Sequence, residues 1–181
     1  MSPDSGSGDI VVASTVQYGD RGVRVEIVDP RQDRTTHDWH CTYRVGAGRE
    51  RKVRGPDRLA AVYAALLAIE DAANRAGPPD SAMEGRPSAL VSAAHAREFG
   101  PPLGARAVHT ASGPVVITLG RPRRDPNRSH TCLCPFRIDD RTEAFGQGFD
   151  DFHAVMSAIR GVGAILGIPG NWPGVDTRAG R

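Results

Sequence analysis

Apolar and polar side chains alternate along residues 39–45, and this is the clearest secondary-structure signal in the chain. Every second position is apolar, which predicts a strand with one buried face and one face carrying His40, Thr42 and Arg44. The apolar positions are Trp39, Cys41, Tyr43 and Val45. Further strands are predicted over 11–17 and 23–28, with a short fourth strand over 49–54.

Helical spacing replaces alternation after the fourth strand. Asp57 is placed to cap this helix, because its carboxylate can accept hydrogen bonds from the free amides of the first turn. Gly77-Pro78 is predicted to end it. Apolar residues recur between these signals at intervals of three and four, at Leu59, Val62, Tyr63, Leu66 and Ile69. The pattern predicts a unit of three strands, a short strand and one helix.

The same unit occurs twice. Residues 13–77 match residues 105–170 with an offset of 92 residues, which rises to 93 after one additional residue in a loop of the second copy. Identical pairs include Val16/Val108, Arg31/Arg123, Cys41/Cys134, Arg44/Arg137, Glu50/Glu143, Gly55/Gly148 and Asp57/Asp150. The second copy is predicted to have strands over 106–110, 115–119, 131–138 and 143–147 and a helix over about 150–166. We conclude that the chain is an internal duplication.

The duplication predicts the fold class. An apolar helix face and an apolar sheet face must cover each other, and two copies can pack as homodimers do between chains. We expect an α+β protein with mainly antiparallel sheet, whose two repeats pack as a pseudo-two-fold pair. The predicted parts are a flexible N-terminus at 1–9, a first repeat at 10–77, a linker at 78–101 with a short helix over 89–99, a second repeat at 102–170 and an irregular tail at 171–181.

Composition and charge exclude several classes of protein. The chain has 181 residues, 39% of them hydrophobic, and a net charge of +2. No apolar run reaches the roughly 18 residues that a membrane span requires. The charge is far from that of a strongly basic duplex binder. Three cysteines and an acidic first segment without an apolar stretch predict a soluble cytoplasmic protein with free thiols.

The second repeat also carries a recognisable pattern. It reads Leu119-Gly120-Arg121-Pro122, then Asp125, then Cys134-Pro135-Phe136-Arg137-Ile138, then Gly148 and Asp150 at the helix start. Over roughly residues 105–168 this resembles a bacterial domain family of unknown function, a strand-rich unit followed by one helix. The first repeat keeps a weaker version and departs from it at Ile27-Val28-Asp29-Pro30. The resemblance implies a fold and no chemistry.

His130, Cys132 and Cys134 form the candidate metal site. Thiolates and imidazoles are the ligands that zinc prefers, but the spacing of these three residues lacks the usual two-residue gap and no second pair follows. Cys132 and Cys134 would share the apolar face of their strand with Phe136, which favours ordinary core cysteines. We therefore predict no metal and no cofactor.

A cysteine enzyme is a further hypothesis. Cys41 or Cys134 would serve as the nucleophile with a histidine as the base, but nothing in the sequence fixes such a pair. Asp150 and His153 lie one helical turn apart, a spacing that can share a ligand, although Asp150 is better explained as a helix cap. Motifs for nucleotide phosphates, zinc proteases, serine hydrolases and deaminases are absent from the sequence.

Arginines concentrate in the loop between the second and third strands of each copy. These residues are Arg31 and Arg34 in the first repeat and Arg121, Arg123, Arg124 and Arg128 in the second. They are the candidate anion-binding or partner-binding residues, although neighbouring aspartates also fit a solvated loop. We favour a non-enzymatic module that binds another protein or itself, away from membranes. A nucleic-acid-associated module using these loops is the alternative, and the cysteine enzyme is the second alternative.

Overall fold

The computed structural model describes residues 8–76, 99–139 and 142–175. The short helix predicted over 89–99 lies outside these residues apart from Phe99. Residues 1–7 and 176–181, at the two predicted irregular ends, also lie outside them.

The first repeat forms an antiparallel sheet, called sheet 1, and one helix. The spatial order of the strands is β1, β2, β4, β5, and the two-residue β3 pairs with β4 beyond the end of β2. The elements are β1 (Ile10–Tyr18), β2 (Arg21–Val28), β3 (Arg31–Gln32), β4 (Trp39–Val45), β5 (Arg51–Gly55) and α1 (Arg58–Arg75). Every strand predicted for this repeat is present, and β3 lies inside what the sequence indicated as a loop.

The second repeat builds sheet 2 in the same order, followed by a second helix. Its elements are β6 (Pro102–Thr110), β7 (Gly113–Gly120), β8 (Arg123–Arg124), β9 (Cys132–Ile138), β10 (Thr142–Gly148) and α2 (Asp151–Leu166). A 3-10 turn, Trp172–Gly174, follows in the segment that was expected to be irregular. The Trp172 side chain is buried, and its indole N–H donates to the carbonyl of Ile159 at 2.9 Å, so this segment is anchored in the core.

Strand register confirms the duplication in detail. Val25 faces Val45 in sheet 1, and the equivalent residues Ile117 and Ile138 face each other in sheet 2. The first strand of each repeat has a register shift at the same place, after Ile10 in β1 and after the equivalent Pro102 in β6. The predicted fold class is therefore confirmed as an α+β duplication of antiparallel sheets, each followed by one helix.

Each helix begins in the same way and packs closely on the last strand of its own sheet. The carboxylate of Asp57 accepts from the amide of Ala60 at 2.8 Å, and that of Asp150 accepts from the amide of His153 at 2.9 Å. The preceding strands end at Gly55 and Gly148 because a Cβ at either position would overlap the backbone of the helix that follows. These contacts fix where each helix leaves its sheet.

The two repeats share one hydrophobic core. Each helix covers the inner face of its own sheet and also contacts the first strand of the other repeat, α1 against β6 and α2 against β1. At one of these crossings Gly104 lies directly against Leu59 of α1. The first strand of each repeat therefore packs against the helix of the other repeat, as expected for a pseudo-two-fold pair. Neither helix of the described residues is long and apolar enough to cross a membrane.

Candidate functional site

The outer face of sheet 1, on the side away from the helices, carries polar and charged side chains. We call this surface the open face of sheet 1. Its residues alternate with core residues along each strand, so Cys41 and Tyr43 point inward while their neighbours point outward. The open face comprises Arg24, Glu26, Arg31, His40, Thr42, Arg44, Lys52 and Arg54.

One end of the open face is electrically balanced. Glu26 pairs with Arg24 at 2.8 Å and with Arg44 at 3.7 Å. Arg44 also pairs at 2.7 Å with Glu50, which lies just before β5. Two arginines and two glutamates thus form a network whose charges cancel.

The other end of the open face is cationic. Strand register places Arg31 opposite His40 and His40 opposite Arg54, while Lys52 lies in the next row. We call Arg31, His40, Lys52 and Arg54 the cationic cluster. Among the described residues, no ion pair neutralises Arg31, Lys52 or Arg54. The cluster lines a shallow depression of about 440 Å³ together with Gln32 and Asp33.

Asp33 is the acidic residue in the wall of this depression. Its carboxylate accepts from the backbone amides of Thr36 at 3.0 Å and Thr35 at 2.7 Å. These hydrogen bonds stabilise the ionised form and lower the pKa of Asp33 below its ordinary value. The carboxylate also lies 3.8 Å from the Nε2 atom of His40, so one negative charge stands beside a cluster of several positive groups.

The equivalent positions of sheet 2 are apolar and buried. Leu133 stands where the first repeat has His40, and Phe145 stands where it has Lys52; their residues are 5% and 2% exposed. Pro135 replaces Thr42 and Gln147 replaces Arg54. Phe99 lies against this face, with the guanidinium of Arg137 stacked 4.8 Å from its ring centre. The described residues on the outer face of sheet 2 therefore form no matching cationic surface.

The arginines singled out in the sequence take different positions. Arg31 lies in β3 and belongs to the cationic cluster, and Arg34 is exposed in the loop that follows. Arg121 pairs with Asp29 at 3.2 Å, and Asp29 also pairs with Arg58 of α1. Because residues 29 and 121 are equivalent in the two repeats, this ion pair crosses the pseudo-two-fold axis. Arg121 therefore joins the repeats.

The remaining predicted arginines lie around β8. Arg123 has its guanidinium 5.7 Å from the centre of the Phe145 ring. Arg124 donates to the carbonyl of Ser129 at 3.1 Å, and Arg128 is exposed near the tip of the loop. Of the six arginines, Arg31 alone lines the depression on sheet 1.

The three cysteines are buried and free, and their thiols are poor nucleophiles. Burial raises the pKa of Cys41 to about 12 and that of Cys132 to about 11, and it raises the pKa of Cys134 as well. The thiols of Cys41 and Cys134 contact carbonyls of the neighbouring strand at equivalent positions, Val28 and Gly120. Their chemistry is that of core side chains.

The candidate metal residues do not come together with other ligands. His130 is exposed, whereas Cys132 and Cys134 are buried on the core face of β9. No group of three or more His, Cys, Asp or Glu side chains is placed to hold a metal ion within residues 8–76, 99–139 and 142–175.

Asp150 and His153 belong to a contact between the repeats. The Asp150 carboxylate accepts from the Ser14 hydroxyl at 2.5 Å and lies 2.8 Å from the Nδ1 atom of His153. Burial alone would raise the pKa of Asp150, but the hydrogen bonds from His153 and Ser14 outweigh it and hold the pKa below its ordinary value. The equivalent contact joins Arg106 to Asp57 at 3.4 Å. Both pairs hold the first strand of one repeat to the helix cap of the other.

The cationic cluster, rather than the arginine loops, is the feature that the sequence reasoning missed. Its signal was present in the alignment of the two copies. At outward positions of the fourth and fifth strands, the first repeat has His40, Lys52 and Arg54 where the second has Leu, Phe and Gln. Comparing the copies by face would have identified these three residues.

The chain matches no protein-family model, no curated protein and no solved structure. The resemblance to a bacterial domain family therefore stays a prediction. The candidate site rests on its geometry and charge.

Proposed function

We propose that this protein is a non-enzymatic binding module whose open face of sheet 1 binds an acidic segment of another protein. One observation carries the proposal: the first repeat has His40, Lys52 and Arg54 on this face, where the second repeat has the buried Leu133 and Phe145 and the uncharged Gln147. The second repeat forms the same sheet without these three side chains. The fold itself therefore does not require them.

Electrostatics supports an acidic partner. Arg31, Lys52 and Arg54 carry three positive charges on one end of the face, Arg31 and Arg54 on either side of His40 and Lys52 one row away. Like charges on one face of a sheet repel each other. An acidic segment would relieve this repulsion, and its attraction to the cluster would speed association at low salt.

The shape of the surface supports a segment of protein over an enclosed small molecule. The depression of about 440 Å³ is shallow and walled by polar side chains, whereas small-molecule sites are concave and mostly apolar. A second depression of about 290 Å³ shares Arg31, His40 and Lys52 with the first and extends the surface towards β2. β5 is an edge strand that pairs with β4 alone in the described sheet, so an extended segment can lie beside it.

The alternatives have weaker support. The raised pKa values of the thiols argue against a cysteine nucleophile. A single-strand nucleic-acid surface usually interleaves its positive charges with aromatic residues that stack on bases. The side chains that line the depression, Arg31, Gln32, Asp33, His40, Lys52 and Arg54, include no Phe, Tyr or Trp.

Binding of fluorescent poly-glutamate, measured by anisotropy across a salt series, tests the proposal. We expect binding that weakens as salt rises, and we expect Lys52→Gln combined with Arg54→Gln to weaken it about tenfold. Arg51→Gln is the matched control, because Arg51 lies on β5 with its side chain on the opposite face from Arg54. This control should bind as the wild type does.

Two results would contradict the proposal. The first is no binding of poly-glutamate by the wild type at low salt. The second is a loss of binding in the control that equals, for each charge removed, the loss in the double variant, which would assign the interaction to net charge and not to this face. Tighter binding of single-stranded DNA than of poly-glutamate, lost in the double variant, would support the nucleic-acid alternative instead.

A further inference from the structure

We infer that the cationic cluster is a phosphate-binding site, so that the acidic segment it takes carries a phosphorylated side chain. This inference rests on the proposed function and narrows it. Two guanidinium groups, an ammonium group and an imidazole surround one depression. A carboxylate offers one negative charge and two oxygens, whereas a phosphoryl group offers a charge of about −1.5 to −2 and three oxygens. The phosphoryl group is therefore the better match to the four donor side chains of the cluster.

The register of the strands places these donors within reach of one anion. Residues directly opposite each other in an antiparallel sheet have Cβ atoms about 4.5–5.5 Å apart. His40 is therefore close to Arg31 on one side and to Arg54 on the other, and these three form a row across β3, β4 and β5. The two arginines flank the histidine, and planar guanidinium groups bind phosphate oxygens in pairs.

Other polar side chains near the depression already have hydrogen-bond or ion-pair partners. The cationic cluster is therefore the part of the surface that can bind an anion. The side-chain amide of Gln32 donates to the carbonyl of His37 at 2.9 Å. Glu26 and Glu50 are held by Arg24 and Arg44 in the balanced network at the other end of the face. Neither glutamate competes with an anion at the cluster.

Removing the charge of Asp33 is expected to strengthen phosphate binding, whereas removing a charge of the cluster is expected to weaken it. The negative charge of Asp33 lies 3.8 Å from His40 and opposes an incoming anion. An asparagine at this position keeps a side-chain oxygen that can accept from the amides of Thr35 and Thr36, but it removes the charge. Asp33→Asn should therefore strengthen phosphate binding, and a purely structural role for the cluster would not produce that result.

The experiment compares three degenerate peptide libraries on the full chain by fluorescence anisotropy at physiological salt. The libraries have the same random flanks and a central phosphoserine, glutamate or serine. We expect the phosphoserine library to bind at least tenfold more tightly than the glutamate library, and inorganic phosphate to compete with it. Arg54→Gln should reduce phosphoserine binding at least fivefold, Arg51→Gln should leave it unchanged, and Asp33→Asn should increase it two- to threefold.

The possible failures separate the two proposals. Equal binding of the phosphoserine and glutamate libraries, sensitive to Arg54→Gln, overturns the phosphate site and leaves the acidic-segment proposal standing. No binding of either library or of poly-glutamate overturns both. Binding of single-stranded DNA more tightly than the phosphoserine library, lost in Arg54→Gln, overturns the inference in favour of a nucleic-acid phosphate. Arg54→Gln is suited to this purpose because Gln147 occupies the equivalent position in sheet 2.

Discussion

The outer faces of the two sheets occupy equivalent positions in the two repeats, yet two cluster residues of sheet 1 are replaced on sheet 2 by buried apolar side chains. Lys52 and His40 on sheet 1 correspond to Phe145 and Leu133 on sheet 2. The backbone register beneath these residues is the same. The difference shows that the outer face is free to vary without loss of the fold.

The inner faces, by contrast, repeat closely. Gly55 and Gly148 admit the helix backbone, and Asp57 and Asp150 cap the helices through equivalent hydrogen bonds. Buried cysteine thiols contact the equivalent carbonyls of the neighbouring strand in both repeats. Contacts that build the core are thus shared, and the side chains that differ are those on which the proposed function depends.

The contact between the repeats has also lost its symmetry. Asp29 meets Arg121 across the pseudo-two-fold axis, where two identical copies would bring like charges together. Ser14 and Arg106 are equivalent positions that bind the helix caps of opposite repeats with different chemistry. The contact residues of the two repeats are therefore complementary, and two copies of the same repeat would not form these contacts.

The largest effect is expected when a charge from sheet 1 is moved to the equivalent site of sheet 2. Phe145→Lys places an ammonium group at a position that is 2% exposed and beside the guanidinium of Arg123. Burying an unpaired charge is among the most destabilising changes, and we expect a loss of about 3–5 kcal/mol in the free energy of unfolding. Urea denaturation followed by circular dichroism measures it.

The reverse exchange is the control. Lys52→Phe changes an exposed residue that has no ion pair among the described residues, so we expect the free energy of unfolding to shift by no more than about 0.5 kcal/mol. If the two exchanges lower the free energy of unfolding by the same amount, the two positions do not differ in burial in solution.

The next largest effect is expected from substituting the two glycines where the helices approach their strands. A Cβ at Gly55 or at Gly148 would overlap helix backbone, which cannot move aside as a flexible side chain can. We expect Gly55→Ala and Gly148→Ala each to cost about 1–3 kcal/mol, and by similar amounts, because the two contacts are equivalent. Gly170→Ala is the control, since a Cβ there meets no atom within 4 Å. Thermal or urea unfolding of the three variants would show whether the two substitutions lower the free energy of unfolding by different amounts.

A smaller effect with a distinct pH dependence is expected at Asp150. Asp150→Asn weakens the hydrogen bond from Ser14 and the contact with His153, and should cost about 1–2 kcal/mol at pH 7. The pKa of Asp150 in the folded protein is lower than in the unfolded chain, so its carboxylate stabilises the fold above about pH 4. That stabilisation disappears as the pH falls through the folded pKa.

The difference in stability between the wild type and Asp150→Asn should therefore narrow on acidification. Urea unfolding of both proteins between pH 7 and pH 2.5 measures it. A difference that stays constant over this range would show that the Asp150 charge contributes nothing to the contact between the repeats.

Much of the fold could be predicted because its signals are local and occur twice. Alternation marked β4 at the residues where the structure has it, and Asp57 and Asp150 marked the helix starts. The two-residue strands β3 and β8 were missed because they lie in charged loops and are too short to show a period. The burial of Trp172 was missed because it depends on a contact with α2 that local sequence does not show.

The candidate site was harder to predict than the fold. Arginine-rich loops drew attention because their charges are adjacent in sequence, but Arg121 and Arg123 contact Asp29 and Phe145. The cationic cluster joins residues from β3, β4 and β5 that belong to three separate segments of the chain. Its recognition requires the register between strands, and single positions such as His40 carry no distinguishing signal by themselves.

The smallest difference is expected between two equivalent ion pairs, one on each outer face. Arg44 pairs with Glu50 on sheet 1, where the side chains are 46% and 53% exposed, and Arg137 pairs with Glu143 on sheet 2, where they are 37% and 32% exposed. Exposed ion pairs contribute little because water screens them and long side chains lose freedom when they are held.

Double-mutant cycles to alanine on unfolding free energies would compare these two pairs directly. We expect a coupling of about 0.2–0.5 kcal/mol for Arg44 with Glu50 and up to about 1 kcal/mol for Arg137 with Glu143. The second value is larger because the ring of Phe99 lies against the Arg137 guanidinium and holds it in place on a more buried face. Raising the salt concentration should reduce the first coupling more than the second. Equal couplings with equal salt dependence would mean that the environments of the two faces differ less than their burial indicates.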